Sequence, residues 1–104
     1  MPKVKVHPEA AQELEEAAAW YESEQLGLGA RLIEAFDHAL ALLSEPNPPL
    51  TPMLGQAAQL GAKKLILHRY PFSLVTIRAS DTIIVVALAH HARRPGYWHS
   101  RVYP

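Results

Sequence analysis

The sequence contains no cysteine, which excludes a disulfide framework and any metal site built from thiolates. It also lacks an initial apolar stretch of signal-peptide length. The longest apolar run, residues 83–89, is far shorter than the roughly 20 residues that a membrane span needs. We therefore expect a cytoplasmic protein with no membrane partner.

Acidic residues are nearly absent from the second part of the chain. Residues 63–104 contain seven bases and a single acid, Asp81, whereas residues 1–62 contain nine acids and three bases. The formal net charge of zero thus hides a net −6 in the first part and +6 in the second. The basic part suits an anionic partner such as a nucleic acid or an acidic protein surface.

The apolar pattern predicts one strand and two helices in the first half of the chain. Val4 and Val6 alternate in a short strand over residues 3–7. Apolar residues then recur every three or four positions over residues 8–25 and 28–43, which predicts an antiparallel helical hairpin. Residues 46–62, rich in proline and glycine, are expected to form an irregular loop.

Three strands are predicted in the second half, over residues 63–69, 72–79 and 82–91. The links between them are short, so they should pair as an antiparallel meander. The third is apolar at almost every position and should be an interior strand covered on both faces. We expect a single α+β domain over residues 1–104, in which the meander and the first strand form one sheet that carries the helical hairpin.

The core is expected between the second helix and the sheet. On the helix we assign Leu32, Phe36, Leu40 and Leu43. The facing strand residues are expected to be Leu65, Leu67, Val75, Ile77, Val85 and Ala87, or their immediate neighbours, because a shift of one residue turns every side chain to the other face.

The stretch "AHHARRPGYWHSR", residues 89–101, collects three His, three Arg, a Tyr and a Trp where the last strand ends. Arg, Tyr and Trp are enriched at binding hot spots, and Trp98 is too apolar to be left in water without a reason. Trp98 could instead fold the tail back onto the sheet. His90 and His91 are neighbours in a strand and point to opposite faces, so we expect no metal site.

Several segments together resemble one protein family. They are the hairpin "AAAWYESEQLGLGARLIEAFDHAL", the strand pair "HRYPFSLVTI" and the ending "VVALAHHARRPGYWHSR". In order and wording they resemble the RelE/ParE superfamily of toxins from type II toxin–antitoxin systems, often labelled plasmid stabilisation proteins. The likeness covers essentially the whole chain. It implies a growth-inhibiting toxin without a cofactor, neutralised by a cognate antitoxin that wraps around it.

One branch of the superfamily cleaves messenger RNA on the ribosome. If the chain resembles that branch, Arg69, with Lys63 or Lys64, would lie at the RNA. His90 would act as the acid or base, Arg93 would bind the phosphate, and Tyr97 would stack on a base or transfer a proton.

The other branch resembles inhibitors of DNA gyrase, which bind a protein target and hydrolyse nothing. Its partner-binding residues here would be Lys64, Arg69, Arg93, Arg94, Tyr97 and Trp98. A ribosome-docking nuclease gains from a strongly basic chain, whereas this chain is neutral. The wording "HxxRxPxYW" is also closer to this branch, so we favour the gyrase inhibitor over the endoribonuclease.

A third reading is a protein that has lost toxicity and persists as the partner of an antitoxin. In each case we expect the apolar stripes to leave a groove for an amphipathic antitoxin segment, with the basic strands attracting its acidic residues.

Overall fold

The computed structural model describes residues 2–102 of the chain. Its elements in chain order are β1 (Lys3–Val6), α1 (Pro8–Glu24), α2 (Leu28–Leu43), β2 (Thr51–Pro52), α3 (Gly55–Gln59), β3 (Lys63–Leu67), β4 (Phe72–Ala79), β5 (Thr82–His90) and a 3-10 turn (His99–Arg101). This order confirms the predicted α+β class, the helical hairpin and the three strands that follow it.

The five strands form one sheet in the order β1-β5-β4-β3-β2. β3, β4 and β5 are antiparallel neighbours, as predicted for a meander. β1 lies parallel to β5 and pairs with it only from Thr82 to Val85. β5 is therefore an interior strand, in agreement with its almost wholly apolar sequence.

The predicted loop over residues 46–62 was wrong in part, because it contains β2 and α3. Proline and glycine suggested an irregular segment, but the segment also carries apolar residues. Ala57 is only 8% exposed and packs with Met53 and Leu60 on one face of the sheet. Burial against the sheet stabilises a short helix that local propensity alone would not predict.

A tight junction joins α1 and α2. Gly27 has a φ of 92°, which glycine adopts readily. The carboxylate of Glu22 accepts hydrogen bonds from the backbone amides of Gly27 at 2.8 Å and Gly29 at 3.0 Å, so it satisfies two free donors where α2 begins. A Cβ on Gly29 would lie 2.5 Å from the carbonyl oxygen of Ala18, so glycine permits the close approach of the helices.

The helices pack on one face of the sheet, which we call the helix face. Leu32, Phe36 and Leu43 are buried there against Leu65, Leu67 and Val85, as predicted, while Leu40 is partly buried. The prediction left the facing of the strand residues open by one position, and for Val75, Ile77 and Ala87 the structure decides against the residues themselves. These three lie on the opposite face, and Leu74 and Leu88 take their places in the helix-side core.

Two features explain why the sequence left this facing open. The β4 sequence is apolar on both faces, so alternation does not reveal which side meets the helices. In β5 the pairing shifts between Val75 and Thr76 of its neighbour, which leaves Val86 as an extra residue. Such a bulge reverses the facing of the residues beyond it.

The opposite face, which we call the tail face, has its own core. Val75, Val86 and Ala87 of the sheet pack there with Ala57 of α3 and with Trp98 of the segment after β5. The sheet is thus covered by the helical hairpin on one side and by α3 and the C-terminal segment on the other. This arrangement fixes the cationic segment against the strands.

Candidate functional site

The carboxylate of Glu13, on α1, holds the segment that follows β5. It accepts hydrogen bonds from Arg101 Nη1 at 2.9 Å, Arg101 Nη2 at 3.1 Å and the Tyr97 hydroxyl at 2.6 Å. The side chains of Glu13 and Arg101 are only 14% and 9% exposed. A two-pronged contact between a buried carboxylate and a guanidinium is strong and directional, so it fixes the tail on the fold.

The position of the ion pair between Glu13 and Arg101 follows from the short length of β1. Beyond Val85, β5 has no strand on the β1 side, so its backbone groups need other partners. Glu13 accepts a hydrogen bond from the Leu88 amide at 3.0 Å, and Arg101 donates one to the Val86 carbonyl at 3.0 Å. Two side chains thus replace the missing strand.

Tyr97 lies between two guanidinium groups. Arg93 is 3.8 Å from the centre of its ring and Arg101 is 5.1 Å from it, a cation–π arrangement. Burial raises the pKa of Tyr97 well above its usual value, and the hydrogen bond to Glu13 and the negative charge of that carboxylate raise it further. The neutral phenol is therefore the stable form, with its proton committed to Glu13.

Trp98 is buried, with 1% of its surface exposed. The sequence predicts this ring at a partner-binding surface, but in the structure almost none of the ring is accessible to a partner. The ring packs against Val75, Val86 and Ala87 of the sheet, because these apolar residues offer a dry surface that the helices do not cover. The alternative that Trp98 folds the tail back onto the sheet is the one observed.

His90 and His91 point to opposite faces of the sheet, as expected. The His90 ring packs edge-on against Phe72 with centroids 5.1 Å apart, and its Nδ1 accepts a hydrogen bond from the Ala92 amide at 3.0 Å. His91 Nε2 lies 2.8 Å from Ser73 Oγ on the tail face. No group of three potential His, Asp or Glu ligands is found within residues 2–102.

Three of the cations that were predicted to bind a partner lie around one concave surface on the tail face. Lys64, Arg93 and Arg94 line it together with His91 and Tyr97. The side chain of Arg93 is 55% exposed, although it also lies 3.7 Å from Glu13, and Arg94 is exposed. We call Lys64, Arg93 and Arg94 the tail-face cations.

Arg69 is not part of this group. It lies in the turn after β3 and lines a separate groove between α2 and β3, with Ala35 and Leu42. Lys63 lines a third concave surface at the far end of the sheet, beside Thr76 and Arg78. Of the predicted catalytic set, His90, Arg93 and Tyr97 line the concave surface on the tail face, and only Arg69 lies apart from it.

Sequence reasoning missed three residues of this region: Glu13, Trp20 and Arg101. Trp20 is 58% exposed and lines a cleft with Phe72, His90 and Arg93. The sequence did indicate that Trp20 would be exposed, because Trp20 falls outside the apolar stripe of its helix. No signal distinguished Glu13 from the other acids of the first half, since its partners lie more than 80 residues away in the sequence.

A helical hairpin on one face of a five-stranded sheet, with a cationic segment fixed after the last strand, is the architecture that the resemblance implied. The family model described as "ParE toxin of type II toxin-antitoxin system, parDE" matches residues 4–95. The chain belongs to this family of toxins, which implies a cognate antitoxin as its partner. The match stops at Pro95, before Tyr97 and Arg101.

No curated protein matches the chain. Within residues 2–102, no helix is long and apolar enough to cross a membrane.

Proposed function

We propose that this toxin inhibits DNA gyrase by binding it, without a catalytic step, and that the cognate antitoxin neutralises it in the cytoplasm. The observation that carries the proposal is the state of Tyr97. Its hydroxyl donates to Glu13 at 2.6 Å, and its raised pKa keeps the proton in place. A general base or acid in RNA cleavage must exchange its proton with the substrate, and this group is not free to do so.

The hydrogen bonding of His90 supports the same proposal. Its Nδ1 accepts from the Ala92 amide, so the neutral ring carries its proton on Nε2. In that tautomer neither nitrogen has a lone pair available to take a proton from a ribose hydroxyl. A role as general base would require the Ala92 hydrogen bond to break.

The tail-face cations and the nearby cleft supply a surface suited to a protein target. Arg93 lines both the concave surface on the tail face and the cleft, and the cleft also contains the exposed ring of Trp20 beside His90. Exposed Arg and Trp side chains next to a concave surface are the residues most enriched at interface hot spots. Trp20 thus replaces the buried Trp98 as the aromatic anchor in this proposal.

The test compares two activities of the purified toxin: inhibition of gyrase supercoiling and cleavage of messenger RNA on ribosomes. Arg94→Ala should weaken gyrase inhibition at least about tenfold, because it removes an exposed cation at the interface centre. Arg78→Ala is the matched control, since Arg78 is an exposed cation at the far end of the sheet. Messenger RNA cleavage without gyrase inhibition would contradict the proposal.

The second candidate is the ribosome-dependent endoribonuclease. It is favoured by one observation, the convergence of Lys64, His91, Arg93 and Arg94 around a single concave surface that could hold a phosphate. In this case Tyr97→Phe or His90→Ala should abolish toxicity while the fold and antitoxin binding remain intact. A folded wild-type protein inactive in both assays would support the third reading, a partner that has lost toxicity.

A further inference from the structure

Four aromatic side chains form a row along the cleft that contains Trp20, which we call the Trp20 cleft. The row runs from Trp20 and Tyr21 of α1 through Phe72 of β4 to His90 at the end of β5. Successive rings meet edge to face, with centroids 5.1 Å apart for Trp20 and Tyr21, 6.5 Å for Tyr21 and Phe72, and 5.1 Å for Phe72 and His90. The cleft is therefore walled by aromatic rings.

The ring of Trp20 is not needed by the core. Tyr21 and Phe72 pack against the helix-side core, whereas Trp20 is 58% exposed. A large exposed aromatic ring beside a concave surface is typical of a binding site. The exposed indole thus indicates that the Trp20 cleft receives a group from another molecule.

A carboxylate lies at the rim of the Trp20 cleft. Glu16 precedes Trp20 by about one helical turn, so the two side chains leave the same side of α1, and both line the cleft. Glu16 is exposed and accepts a hydrogen bond from the neutral side chain of Gln12 at 3.0 Å. Among residues 2–102 it forms no salt bridge. Its negative charge is therefore available to a ligand.

Arg93 also lines the Trp20 cleft, but its charge is engaged elsewhere. Its guanidinium carbon lies 3.8 Å from the centre of the Tyr97 ring, and its Nη1 lies 3.7 Å from the Glu13 carboxylate. Of the described residues that line the cleft, two are acidic and one is basic, which gives the cleft a formal net charge of −1. The place beside Trp20 and Glu16 is left for a cation from outside.

Aromatic rings beside a carboxylate are the surroundings that suit an organic cation. The face of an aromatic ring attracts a guanidinium or ammonium group, and the indole of Trp does so most strongly. A carboxylate adds a charge-assisted hydrogen bond. The volume of the cleft, about 470 Å³, falls within the ~300–1,000 Å³ range of ligand pockets, so it accommodates one long side chain.

We infer that the Trp20 cleft binds an arginine or lysine side chain of the target protein, with the cationic group held between the Trp20 ring and the Glu16 carboxylate. The inference rests on the proposed binding of gyrase. A protein that acts on DNA presents Arg and Lys side chains to the phosphates, so the target carries the cation that the cleft requires. The toxin thus meets its target with a negative charge at Glu16 and with positive charges at the tail-face cations.

The first experiment tests the cation site without the target. Arginine amide, at millimolar concentration, should shift the indole N–H resonance of Trp20 in a saturable manner, and Trp20→Leu identifies that resonance. Citrulline amide is the matched control, because a neutral ureido group of the same shape replaces the guanidinium. It should bind at least about tenfold more weakly. Glu16→Gln should lower the affinity for arginine amide about threefold, since an exposed charge pair is lost.

Two outcomes of the first experiment would overturn the inference. Equal affinity for arginine amide and citrulline amide would show that the Trp20 cleft does not select a cation. Tighter binding of adenosine monophosphate than of arginine amide would assign the aromatic row to stacking on nucleic acid bases.

The second experiment measures inhibition of gyrase supercoiling by two charge reversals on α1. Glu16→Lys should weaken inhibition at least about tenfold, because it places a like charge where the cation of the target binds. Glu15→Lys is the matched control and should inhibit as the wild type does. Glu15 is exposed on the same helix and is not among the described residues that line the cleft, and its reversal changes the net charge by the same amount. Circular dichroism should show equal thermal stability for both variants.

The two experiments separate failure of the inference from failure of the proposed function. Equal inhibition by the Glu16→Lys and Glu15→Lys proteins would overturn the assignment of the Trp20 cleft to the target and leave gyrase inhibition standing. A wild-type protein that does not inhibit gyrase would overturn the proposed function and the identity of the target. The comparison of arginine amide with citrulline amide would still decide whether the cleft is a cation site.

Discussion

The carboxylate of Glu13 accepts hydrogen bonds from a tyrosine, an arginine and a backbone amide of β5. Glu13 thereby stabilises the protonated forms of Tyr97 and Arg101, two side chains that could otherwise take part in proton transfer. Tyr97 is kept protonated. Burial would lower the pKa of Arg101, but the hydrogen bonds and charge of Glu13 outweigh it and raise that pKa overall. At the scale of single residues, the site is organised by an acid whose importance only the structure reveals.

Glu13→Gln should destabilise the fold by about 3 kcal/mol, because removing one member of a buried ion pair leaves the other charge uncompensated. Urea unfolding at neutral pH measures the effect. Glu16→Gln is the control, since Glu16 is exposed on the same helix and its loss should cost under about 0.5 kcal/mol. Equal effects of the two substitutions would show that Glu13 does not hold the tail.

Tyr97 should make stability fall at alkaline pH. The unfolded chain loses the Tyr97 proton near pH 10, whereas the folded chain keeps it to higher pH. Above about pH 10 the unfolded state therefore binds fewer protons, and the free energy of unfolding decreases as pH rises. The contribution of Tyr97 to this slope cannot exceed about 1.4 kcal/mol per pH unit, the limit for one proton.

Tyr97→Phe provides the comparison for this slope. The variant retains the other three tyrosines, Tyr21, Tyr70 and Tyr103, so only the contribution of Tyr97 disappears. Urea unfolding of both proteins between pH 8 and 11 should show a shallower decline for Tyr97→Phe. Identical slopes would mean that the Tyr97 proton is not retained by folding.

At the scale of elements, α2 and the strands it covers were predicted accurately because their apolar pattern is strong. α2 begins at Leu28 and ends at Leu43, as its sequence indicated. The facing of β4 was not predictable, since both of its faces are buried and the pattern carries no preference. α3 was missed because five residues form a helix only where the sheet supports them.

Phe36→Ala should lower the free energy of unfolding by about 3 to 5 kcal/mol, because it leaves a cavity under α2. Phe36 is 3% exposed. Ile33→Ala is the matched control on the same helix, since Ile33 is 41% exposed, and it should cost under about 1 kcal/mol. Similar losses for both would mean that α2 packs on a different face.

At the scale of the whole molecule, the fold has three layers and not two, because both faces of the sheet are covered. The acidic helices cover one face, and the basic C-terminal segment with α3 covers the other. Most acids of the first part of the sequence thus lie on the helices, whereas three bases of the second part, Lys64, Arg93 and Arg94, line the tail face. Glu13 and Arg101 link the two sides past the end of β1.

Trp98→Ala should destabilise the whole fold by about 3 to 5 kcal/mol, because the ring fills the core of the tail face. Trp20→Ala is the matched control, since that ring is 58% exposed. It should leave the melting temperature nearly unchanged and weaken target binding. Thermal unfolding followed by circular dichroism separates the two, and a stable Trp98→Ala protein would show that the tail face does not need the ring.

The sequence by itself determined the α+β class, the limits of the hairpin, the meander and the family resemblance. These properties depend on local periodicity, on short connections and on motifs that are contiguous in the chain. The tertiary structure decided the facing of β4, the burial of Trp98, the separation of Arg69 from the tail-face cations and the role of Glu13. Each of these depends on contacts between residues far apart in the sequence, for which a single chain without its fold carries no local signal.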